Sequence, residues 1–259
     1  MSLVGIANFR RFPANCAVVI PALNEEAALP VTVRHWLARG FGSVRVVDNG
    51  SQDSTARVAR EAGAEVVVES VRGYGAAAWR GMQGLPEGID WVLFSSADGS
   101  DALEADEMAD WARAADGGAE LMLGDRSTDA ASRRAMNLSQ RVCTWIFCRI
   151  VRGGWGVRFG DVGSLRALRL EAVPRLRLTD RGFGWNVEMQ VRAVEAGFHL
   201  VEMPVRFRPR RAGESKISGT MLGTAKAARG ILWMMFRLWR TRRRVAEGRL
   251  WPGKTEIPD

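Results

Sequence analysis

The sequence of 259 residues predicts an α/β fold: a mostly parallel central sheet flanked by helices, followed by a C-terminal amphipathic helix. Three observations lead to this prediction. Short apolar runs alternate with helical patterns, polar residues follow each apolar run, and no Pro/Gly/Ser-rich linker divides the chain. Because consecutive strands joined by a helix usually pair in parallel, this order predicts a sheet that is covered on both faces.

Five apolar runs in the first half predict strands, and helical patterns lie between them. The strands are expected over residues 16–20, 44–47, 65–68, 91–95 and 121–124, and the helices over 25–39, 55–62, 76–83 and 103–114. After residue 124 the pattern changes. It predicts helices over 133–151, 185–196 and 219–244, and strands over 161–168 and 199–205.

The composition, 47% hydrophobic and 25% charged, is typical of a globular protein. The three cysteines, Cys16, Cys143 and Cys148, form no C-x-x-C pair, which favours reduced thiols in a cytosolic protein over disulfides or a zinc site. The N-terminus lacks the apolar stretch of a secretory signal, and the longest charge-free run, residues 12–24, is too short to span a bilayer. We therefore expect no membrane-crossing segment.

The net charge of +8 is concentrated at one end of the chain. Residues 204–259 hold 14 Lys and Arg against 4 Asp and Glu, a net charge of +10, whereas the preceding residues have a net charge of −2. A domain with one basic end predicts an anionic partner, which could be phospholipid, nucleic acid or a phosphorylated substrate.

Carboxylates follow four of the predicted strands: Glu25, Asp48, Asp98 and Asp125. Parallel sheets bind ligands at the carboxyl ends of their strands, so these side chains are expected at one edge. Acids gathered on one rim are costly unless cations or hydrogen-bond donors meet them. A Mg²⁺ or Mn²⁺ ion shared with a substrate diphosphate is one solution. The alternative is that Asp48 and Asp98 only cap the turns that follow.

The loop RGYGAAAWRG, residues 72–81, contains glycines immediately before a predicted helix. Its backbone amides, Gly73 included, could approach a phosphate at the helix N-terminus. The third glycine of the dinucleotide-binding pattern is missing, and the loop follows the third strand rather than the first. Both features count against an enzyme that uses a nicotinamide cofactor.

Several segments together resemble glycosyltransferase family 2 enzymes of the GT-A fold. In the first half these are VVIPALNEE (18–26), VVDNGSQDST (46–55), RGYGAAAWRGM (72–82) and SADGSD (96–101). In the second half they are GDR (124–126), FGDVGSLRA (159–167), GWNVEMQVRAVEAG (184–197) and EMPVRFRPRRAGESK (202–216). The full set is similar to the dolichyl- and polyprenyl-phosphate sugar synthase branch. The resemblance covers residues 16–218 and implies a GT-A domain over 1–218, a basic amphipathic helix over 219–244 and a tail over 245–259.

The resemblance also implies roles for individual residues. On the donor side, Pro21, Glu25 and Asp48 would line the nucleotide pocket, with Asp48 at the base. Asp98 would bind a divalent ion, Mg²⁺ or Mn²⁺, on the diphosphate, with Ser100 as a second ligand. The remaining roles fall to basic and loop residues. Arg126 would meet the sugar or acceptor phosphate, Arg134 could hold the acceptor phosphate, and Arg210, Ser215 and Lys216 would close over the diphosphate as a flexible loop.

One position departs from the family pattern. The family has Asp-x-Asp where this chain has Ser96-Ala97-Asp98, so Ser96 removes one carboxylate from the expected metal site. Asp98 keeps the carboxylate that we expect to matter most. The departure bears on metal affinity, metal choice and activity.

The resemblance implies that a hexose moves from a UDP- or GDP-sugar to a polyprenyl-phosphate-type lipid, with inversion, at the cytoplasmic membrane face. An acceptor phosphate is already ionised and needs only orientation. The alternative, a family 2 enzyme with a soluble or lipid hydroxyl acceptor, needs a base, for which Asp161 and Glu188 are the candidates. A turn cap and a solvated helix residue are the competing interpretations of these two acids.

The last predicted helix has two unlike sides on a helical wheel. One side carries basic residues and the other carries large apolar residues. The basic side holds Lys226, Arg229, Arg237, Arg240 and Arg244, and the apolar side holds Ala228, Ile231, Leu232, Met235 and Trp239. This pattern is typical of a helix in a membrane interface, and equally of a helix packed on the domain with its arginines in water. The helix over 133–151 could form the other wall of the acceptor site, or its apolar residues could be ordinary core.

A third hypothesis for the basic C-terminal segment is that it belongs to a nucleic-acid-binding module. It predicts aromatic or base-reading residues interleaved with the basic ones. The tryptophans of the last predicted helix, Trp233 and Trp239, accompany apolar residues rather than base-reading ones. We therefore expect no nucleic-acid partner.

Overall fold

The computed structural model describes residues 11–211 and 221–242, with side chains of the last helix described from Ala228 onward. The strands are β1 (Cys16–Ala22), β2 (Ser43–Asp48), β3 (Glu65–Val68), β4 (Trp91–Phe94), β5 (Leu121–Asp125), β6 (Arg166–Arg169) and β7 (Leu200–Pro204). The helices are α1 (Leu29–Leu37), α2 (Thr55–Glu61), α3 (Tyr74–Gly81), α4 (Ala105–Asp116), α5 (Ala130–Ala135), α6 (Leu138–Trp155), α7 (Val173–Leu176), α8 (Trp185–Glu195) and α9 (Met221–Arg240).

The seven strands form one sheet in the order β3-β2-β1-β4-β6-β5-β7. All neighbouring pairs are parallel except those of β6, which runs antiparallel to both β4 and β5. The prediction of a mostly parallel sheet is therefore confirmed. Because β6 is antiparallel to both β4 and β5, β5 runs in the same direction as β4. The carboxyl end of β5 therefore lies at the same edge of the sheet as those of β1, β2 and β4.

Helices cover both faces of the sheet, as predicted. Val19 and its cluster pack against α3, α6, α8 and α9, whereas Val18, the next residue along β1, packs with Trp36 and Trp111 of α1 and α4. This alternation follows from the two-residue period of a strand. Since β1 and β4 are buried on both faces, they appear in the sequence as continuous apolar runs.

Two predicted elements in the second half differ from the structure. The helix expected over 133–151 is two helices, α5 and α6, separated at Met136 and Asn137. Asn137 caps α6: its side chain accepts from the Gln140 amide at 2.9 Å, and the Gln140 side chain accepts from the Asn137 amide at 2.9 Å. The strand expected over 161–168 is shortened to β6.

The C-terminal helix extends over Met221–Arg240, and the ends of the predicted range, 219–220 and 243–244, lie outside the described residues. Its described buried side chains, Met234, Met235 and Leu238, belong to the core cluster that includes residues of α6 and α8. Within the described ranges, none of the helices combines the length and apolar character needed to cross a bilayer.

Candidate active site

The sheet brings three of the predicted acidic loops together. Glu25 and Asp98 follow β1 and β4, and Asp48 is the last residue of β2; these three strands are neighbours in the sheet. The first two loops are also tied to each other, because the Asn24 amide donates to Ser51 Oγ at 3.0 Å and the Gln52 amide donates to Asn24 Oδ1 at 2.8 Å. The acidic strand ends therefore share one rim.

Arg210 connects two of these acids. Its Nη1 lies 2.9 Å from Asp98 Oδ2 and its Nη2 lies 2.5 Å from Glu25 Oε1. The three side chains are 22%, 18% and 10% exposed, respectively. A guanidinium between two carboxylates supplies the positive charge that the acidic rim requires. The pairs are partly open to solvent. An incoming cation can therefore replace Arg210 at the carboxylates, while an incoming anion replaces the carboxylates at Arg210.

Asp98 begins a row of oxygen atoms. Ser100 Oγ donates to Asp98 Oδ1 at 2.5 Å and lies 3.0 Å from Ser96 Oγ, which in turn donates to Asp101 Oδ2 at 2.7 Å. The Asp101 carboxylate also accepts from the Ser96 amide and from Ser164 Oγ, and burial raises its pKa. Sequence reasoning missed Asp101, although it closes the SADGSD segment.

The residues of this row suit a hard divalent cation. The carboxylate of Asp98 and the hydroxyl of Ser100 are oxygen donors of the kind Mg²⁺ and Mn²⁺ prefer. Among the described residues, no group of three or more His, Cys, Asp and Glu side chains forms a self-contained metal site. Two oxygen donors do not fill the coordination of such a cation, so an ion held by Asp98 and Ser100 would need further oxygen ligands.

Asp48 is buried and its Oδ1 accepts from the Ser51 amide at 3.0 Å. It thus performs the turn-capping role that was the alternative for this residue, while remaining on the rim. Pro21 lies one residue before the end of β1 and pairs in register with Val47. The contacts of Pro21 and Asp48 with a nucleotide stay predictions.

The glycine loop before α3 is held against the segment 180–182. Gly73 has φ 147°, and a Cβ there would lie 2.1 Å from the Arg181 carbonyl oxygen, so a side chain is excluded. Its amide donates to Asn49 Oδ1 at 2.8 Å, and the amides of Gly75 and Ala76 donate to the carbonyls of Gly182 and Arg181. A phosphate approaching this loop would have to displace protein acceptors. The role of Gly73 in binding a phosphate stays a prediction. The close approach of the Arg181 backbone explains why a glycine occupies this position.

Arg126 and Asp161 form a buried ion pair. Arg126 Nε and Nη2 lie 2.5 Å and 2.9 Å from Asp161 Oδ2 and Oδ1. Thr144 Oγ1 and the Val162 amide donate to the same carboxylate at 2.9 Å and 2.7 Å. Burial alone would raise the pKa of Asp161, but the charge of Arg126 and the hydrogen bonds from Arg126 and Thr144 hold it below its usual value. Asp161 is thus committed to protein contacts, and it is not placed as an available base.

The guanidinium of Arg126 also lies 4.8 Å from the centre of the Phe207 ring. That ring lines a cleft of about 680 Å³ between α5 and the segment 206–209. Arg134, predicted to hold an acceptor phosphate, lines the same cleft with Arg206 and Arg208. Arg206 is paired with Asp106 and Arg208 with Glu104. The roles of Arg126 and Arg134 at the sugar or acceptor phosphate stay predictions.

Two acids behave differently from a solvated carboxylate. Glu188, for which a solvated position was one interpretation, is 0% exposed and accepts from the Thr179 and Asp180 amides at 2.9 Å and 2.7 Å, so that interpretation is wrong. Glu202, which sequence reasoning missed, accepts from the Gly160 and Asp161 amides at 3.0 Å and 3.1 Å. Burial raises the pKa of Glu202 to about 7. Glu202 lies inside the predicted strand over 199–205, where an acidic residue among apolar ones could have drawn attention to it.

The C-terminal helix α9 buries only part of its predicted apolar side. Met235, from the predicted apolar side, packs on the domain, whereas Leu232 and Trp239 from the same side are exposed by 49% and 42%. Arg237, from the predicted basic side, turns toward Glu188, with 3.5 Å between Nη2 and Oε1. Ser215 and Lys216, expected to close over the diphosphate, lie outside the described residues.

Comparison with known structures supports the fold. The crystal structure of glucosyl-3-phosphoglycerate synthase from Mycobacterium tuberculosis, in complex with Mn²⁺, UDP-glucose and phosphoglyceric acid, superposes with a TM-score of 0.66 over 87% of this chain and 79% of that chain, at 17% identity. With its acidic strand-end rim on a mostly parallel sheet, this chain has the GT-A fold of nucleotide-sugar transferases.

Sequence comparison then gives the family. Residues 17–146 match Glycosyl transferase family 2. An uncharacterized glycosyltransferase of Mycobacterium tuberculosis is 36% identical over 207 residues, covering 80% of this chain and 91% of the relative. Polyprenol monophosphomannose synthase of Mycolicibacterium smegmatis is 32% identical over 221 residues, covering 80% and 83%. The chain belongs to glycosyltransferase family 2, and the resemblance to its polyprenyl-phosphate sugar synthase branch is confirmed.

Proposed function

We propose that this glycosyltransferase moves a hexose, with inversion, from a UDP- or GDP-sugar to a polyprenyl-phosphate-type lipid at the cytoplasmic face of a membrane. The use of a nucleotide-sugar donor, which we call the donor half of the proposal, rests on the Glu25–Arg210–Asp98 bridge. This bridge places carboxylates and a guanidinium that can change partners at one strand-end rim. A nucleotide diphosphate matches that arrangement: it is anionic and arrives with its own cation.

The divalent ion would be held by Asp98 and Ser100. When bound, it would neutralise the diphosphate and so favour its departure. Arg210 would exchange Asp98 for a diphosphate oxygen, so that its guanidinium stabilises the negative charge developing on the leaving group. The basis is that both contacts of Arg210 are with the carboxylates that the cation and diphosphate would engage.

The acceptor is proposed to enter the cleft lined by Arg134 and Phe207. A phosphate monoester oxygen attacks the anomeric carbon, the bond from that carbon to the diphosphate oxygen breaks, and the configuration inverts. An ionised phosphate carries no proton that must be removed. The complete engagement of Asp161 by its protein donors supports this choice, since a hydroxyl acceptor would require a free base.

Membrane association is supported by the solvent face of α9. Leu232, Trp233 and Phe236 are exposed by 49%, 62% and 51%, and Arg229 and Arg240 are exposed beside them. Aromatic and basic residues on one exposed helix face suit the interface between lipid headgroups and acyl chains.

A soluble phosphorylated acceptor is the second candidate. The arginine-lined cleft would also suit a small anion, and phosphoglyceric acid is bound in the structurally similar synthase. The two candidates share the donor chemistry and differ only in what enters the cleft.

Two measurements test the proposal. Thermal shift with UDP- and GDP-sugars, each with and without Mn²⁺ or Mg²⁺, should show stabilisation that depends on the metal for one nucleotide. Radiolabelled sugar should then pass to polyprenyl phosphate, giving a product that mild acid hydrolyses, and pass poorly to phosphoglycerate or to lipid hydroxyls. Stabilisation by no donor would refute the donor half. An acid-resistant product, or preference for the soluble acceptor, would refute the acceptor half.

A further inference from the structure

Helix α6 has an apolar face that is exposed in the described part of the structure. Thr144, Phe147, Val151 and Trp155 turn inward, as expected of a helix packed on a sheet. On the opposite side, Leu138, Val142 and Trp145 are exposed by 75%, 45% and 62%. We call these three residues the α6 stripe. Spaced at i, i+4 and i+7, they lie on one face, where a surface helix of a globular domain normally carries polar residues.

Basic residues surround the stripe. Arg141, Arg149 and Arg152 are exposed, and the Arg149 guanidinium lies 5.5 Å from the Trp145 ring centre. Residues 130–155, which include α5 and α6, contain five arginines and no aspartate or glutamate. The occupant of this face must therefore tolerate apolar side chains at its centre and concentrated positive charge around them.

We infer that the α6 stripe is a docking surface for an anionic phospholipid bilayer, with Leu138 and Trp145 inserted among the headgroups and the arginines on lipid phosphates. Charge decides between a bilayer and a second copy of the chain. A symmetric contact of two α6 helices would bring their arginines together with no acid on either helix to neutralise them. An anionic membrane supplies a dense, mobile array of negative charge.

The location of the stripe deepens the proposed function, on which this part of the inference rests. Helix α5, which lines the arginine-rich cleft through Ser132 and Arg134, is separated from α6 only by Met136 and Asn137. A bilayer seated on α6 would therefore lie beside the cleft in which the acceptor phosphate is proposed to bind. The acceptor's prenyl chain could then remain in the membrane during transfer.

The test is co-flotation of the full chain with vesicles of phosphatidylcholine alone or mixed with phosphatidylglycerol. The wild-type protein should bind the mixed vesicles and release at high salt. Leu138→Ala combined with Trp145→Ala should weaken partitioning by at least about tenfold, and Arg141→Gln or Arg149→Gln by about fivefold each. Some binding should persist through the exposed face of α9.

The matched control is Val68→Ala combined with Val71→Ala, two side chains each exposed by 58% away from α6, which should bind as the wild type does. Absence of wild-type binding, or equal binding by the Leu138→Ala, Trp145→Ala variant, would overturn the inference. So would concentration-dependent dimerisation that this variant abolishes, because the face would then belong to a second copy.

A separate assay without vesicles, using a short-chain, water-soluble prenyl phosphate, separates this inference from the proposed function. Transfer to that acceptor should be the same for the wild type and the Leu138→Ala, Trp145→Ala variant. Failure of transfer for both, with vesicle binding intact, would refute the proposed function alone.

Discussion

Two groups of charged side chains lie at the same edge of the sheet and differ in how firmly they are held. In the open group, Arg210 bridges Glu25 and Asp98, and each side chain keeps some contact with solvent. In the closed group, Arg126 and Asp161 are 7% and 0% exposed, and both oxygens of Asp161 accept several hydrogen bonds.

The difference in exposure indicates that the open group is suited to binding a ligand and the closed group to stabilising the fold. An ion pair that water still reaches can exchange its partners at modest cost, because the released groups are resolvated. A buried pair can lose a partner only by leaving a charge uncompensated in the interior. We therefore expect substitutions in the open group to change activity with little change in stability, and substitutions in the closed group to change stability first.

The largest effect is expected for Asp98→Ala. Removing the carboxylate that would hold the diphosphate's cation should abolish measurable transfer, a loss of at least ~10²-fold in turnover. The free energy of unfolding should change by less than about 1 kcal/mol. Radiolabel transfer and urea denaturation measure the two effects, with Asp116→Ala, an exposed acid on α4, as the control. Full activity of Asp98→Ala would refute the metal assignment.

The next largest effect is expected for Asp161→Ala, which leaves the Arg126 charge buried without its partner. The free energy of unfolding should fall by about 3–5 kcal/mol, measured by urea denaturation. Asp106→Ala is the matched control, because Asp106 also accepts two hydrogen bonds from one arginine, through Nη1 and Nη2 of Arg206, but on the surface. If both variants were equally stable, the distinction between the open and closed groups would be wrong.

The open group was more accessible to sequence reasoning than the closed one. Glu25, Asp48 and Asp98 each lie in the short segment that follows an apolar run, and the parallel topology alone brings such positions together. Asp161 precedes β6 in a segment without regular structure, and it meets Arg126 only because β6 reverses direction between β4 and β5. A strand pattern does not reveal that reversal. The predicted strand therefore began too early, at the residue whose carboxylate anchors the turn.

Helix α6 shows a second limit of pattern reasoning. Its large apolar residues could be core or acceptor-site wall, and periodicity cannot tell which side faces the sheet when both sides are apolar. The structure buries Phe147 and exposes Trp145. The break before α6 was equally hidden, since Met136 continues an apolar pattern and only the reciprocal bonds between Asn137 and Gln140 mark a new helix start.

Glu202 gives the closed group a dependence on pH. Its pKa is raised to about 7 by burial, and Asp125, Asp161 and Cys148 are the titratable groups around it. Because the folded state binds this proton more tightly than the unfolded state, the contribution to stability is complete below pH ~4.5 and is lost as the pH rises through ~7. The loss should be about 3 kcal/mol.

The check is the difference in unfolding free energy between wild type and Glu202→Gln, measured from pH 4.5 to pH 8. The difference should shift in favour of the glutamine variant as the pH rises, because glutamine stays neutral. A Glu202→Gln profile parallel to that of the wild type would show that Glu202 does not titrate in this interval.

The smallest effect expected comes from a pair of single hydroxyls, one in each group. Thr144 Oγ1 donates to Asp161 and Ser100 Oγ donates to Asp98. Thr144→Val should lower the free energy of unfolding by about 1–2 kcal/mol, since a buried carboxylate loses a donor. Ser100→Ala should cost less than about 1 kcal/mol but weaken Mn²⁺-dependent donor binding about tenfold. Urea denaturation and calorimetric titration of the donor with Mn²⁺ distinguish the two. Both hydroxyls contact a carboxylate, so an exchange of the two outcomes would place the metal with Asp161 instead of Asp98.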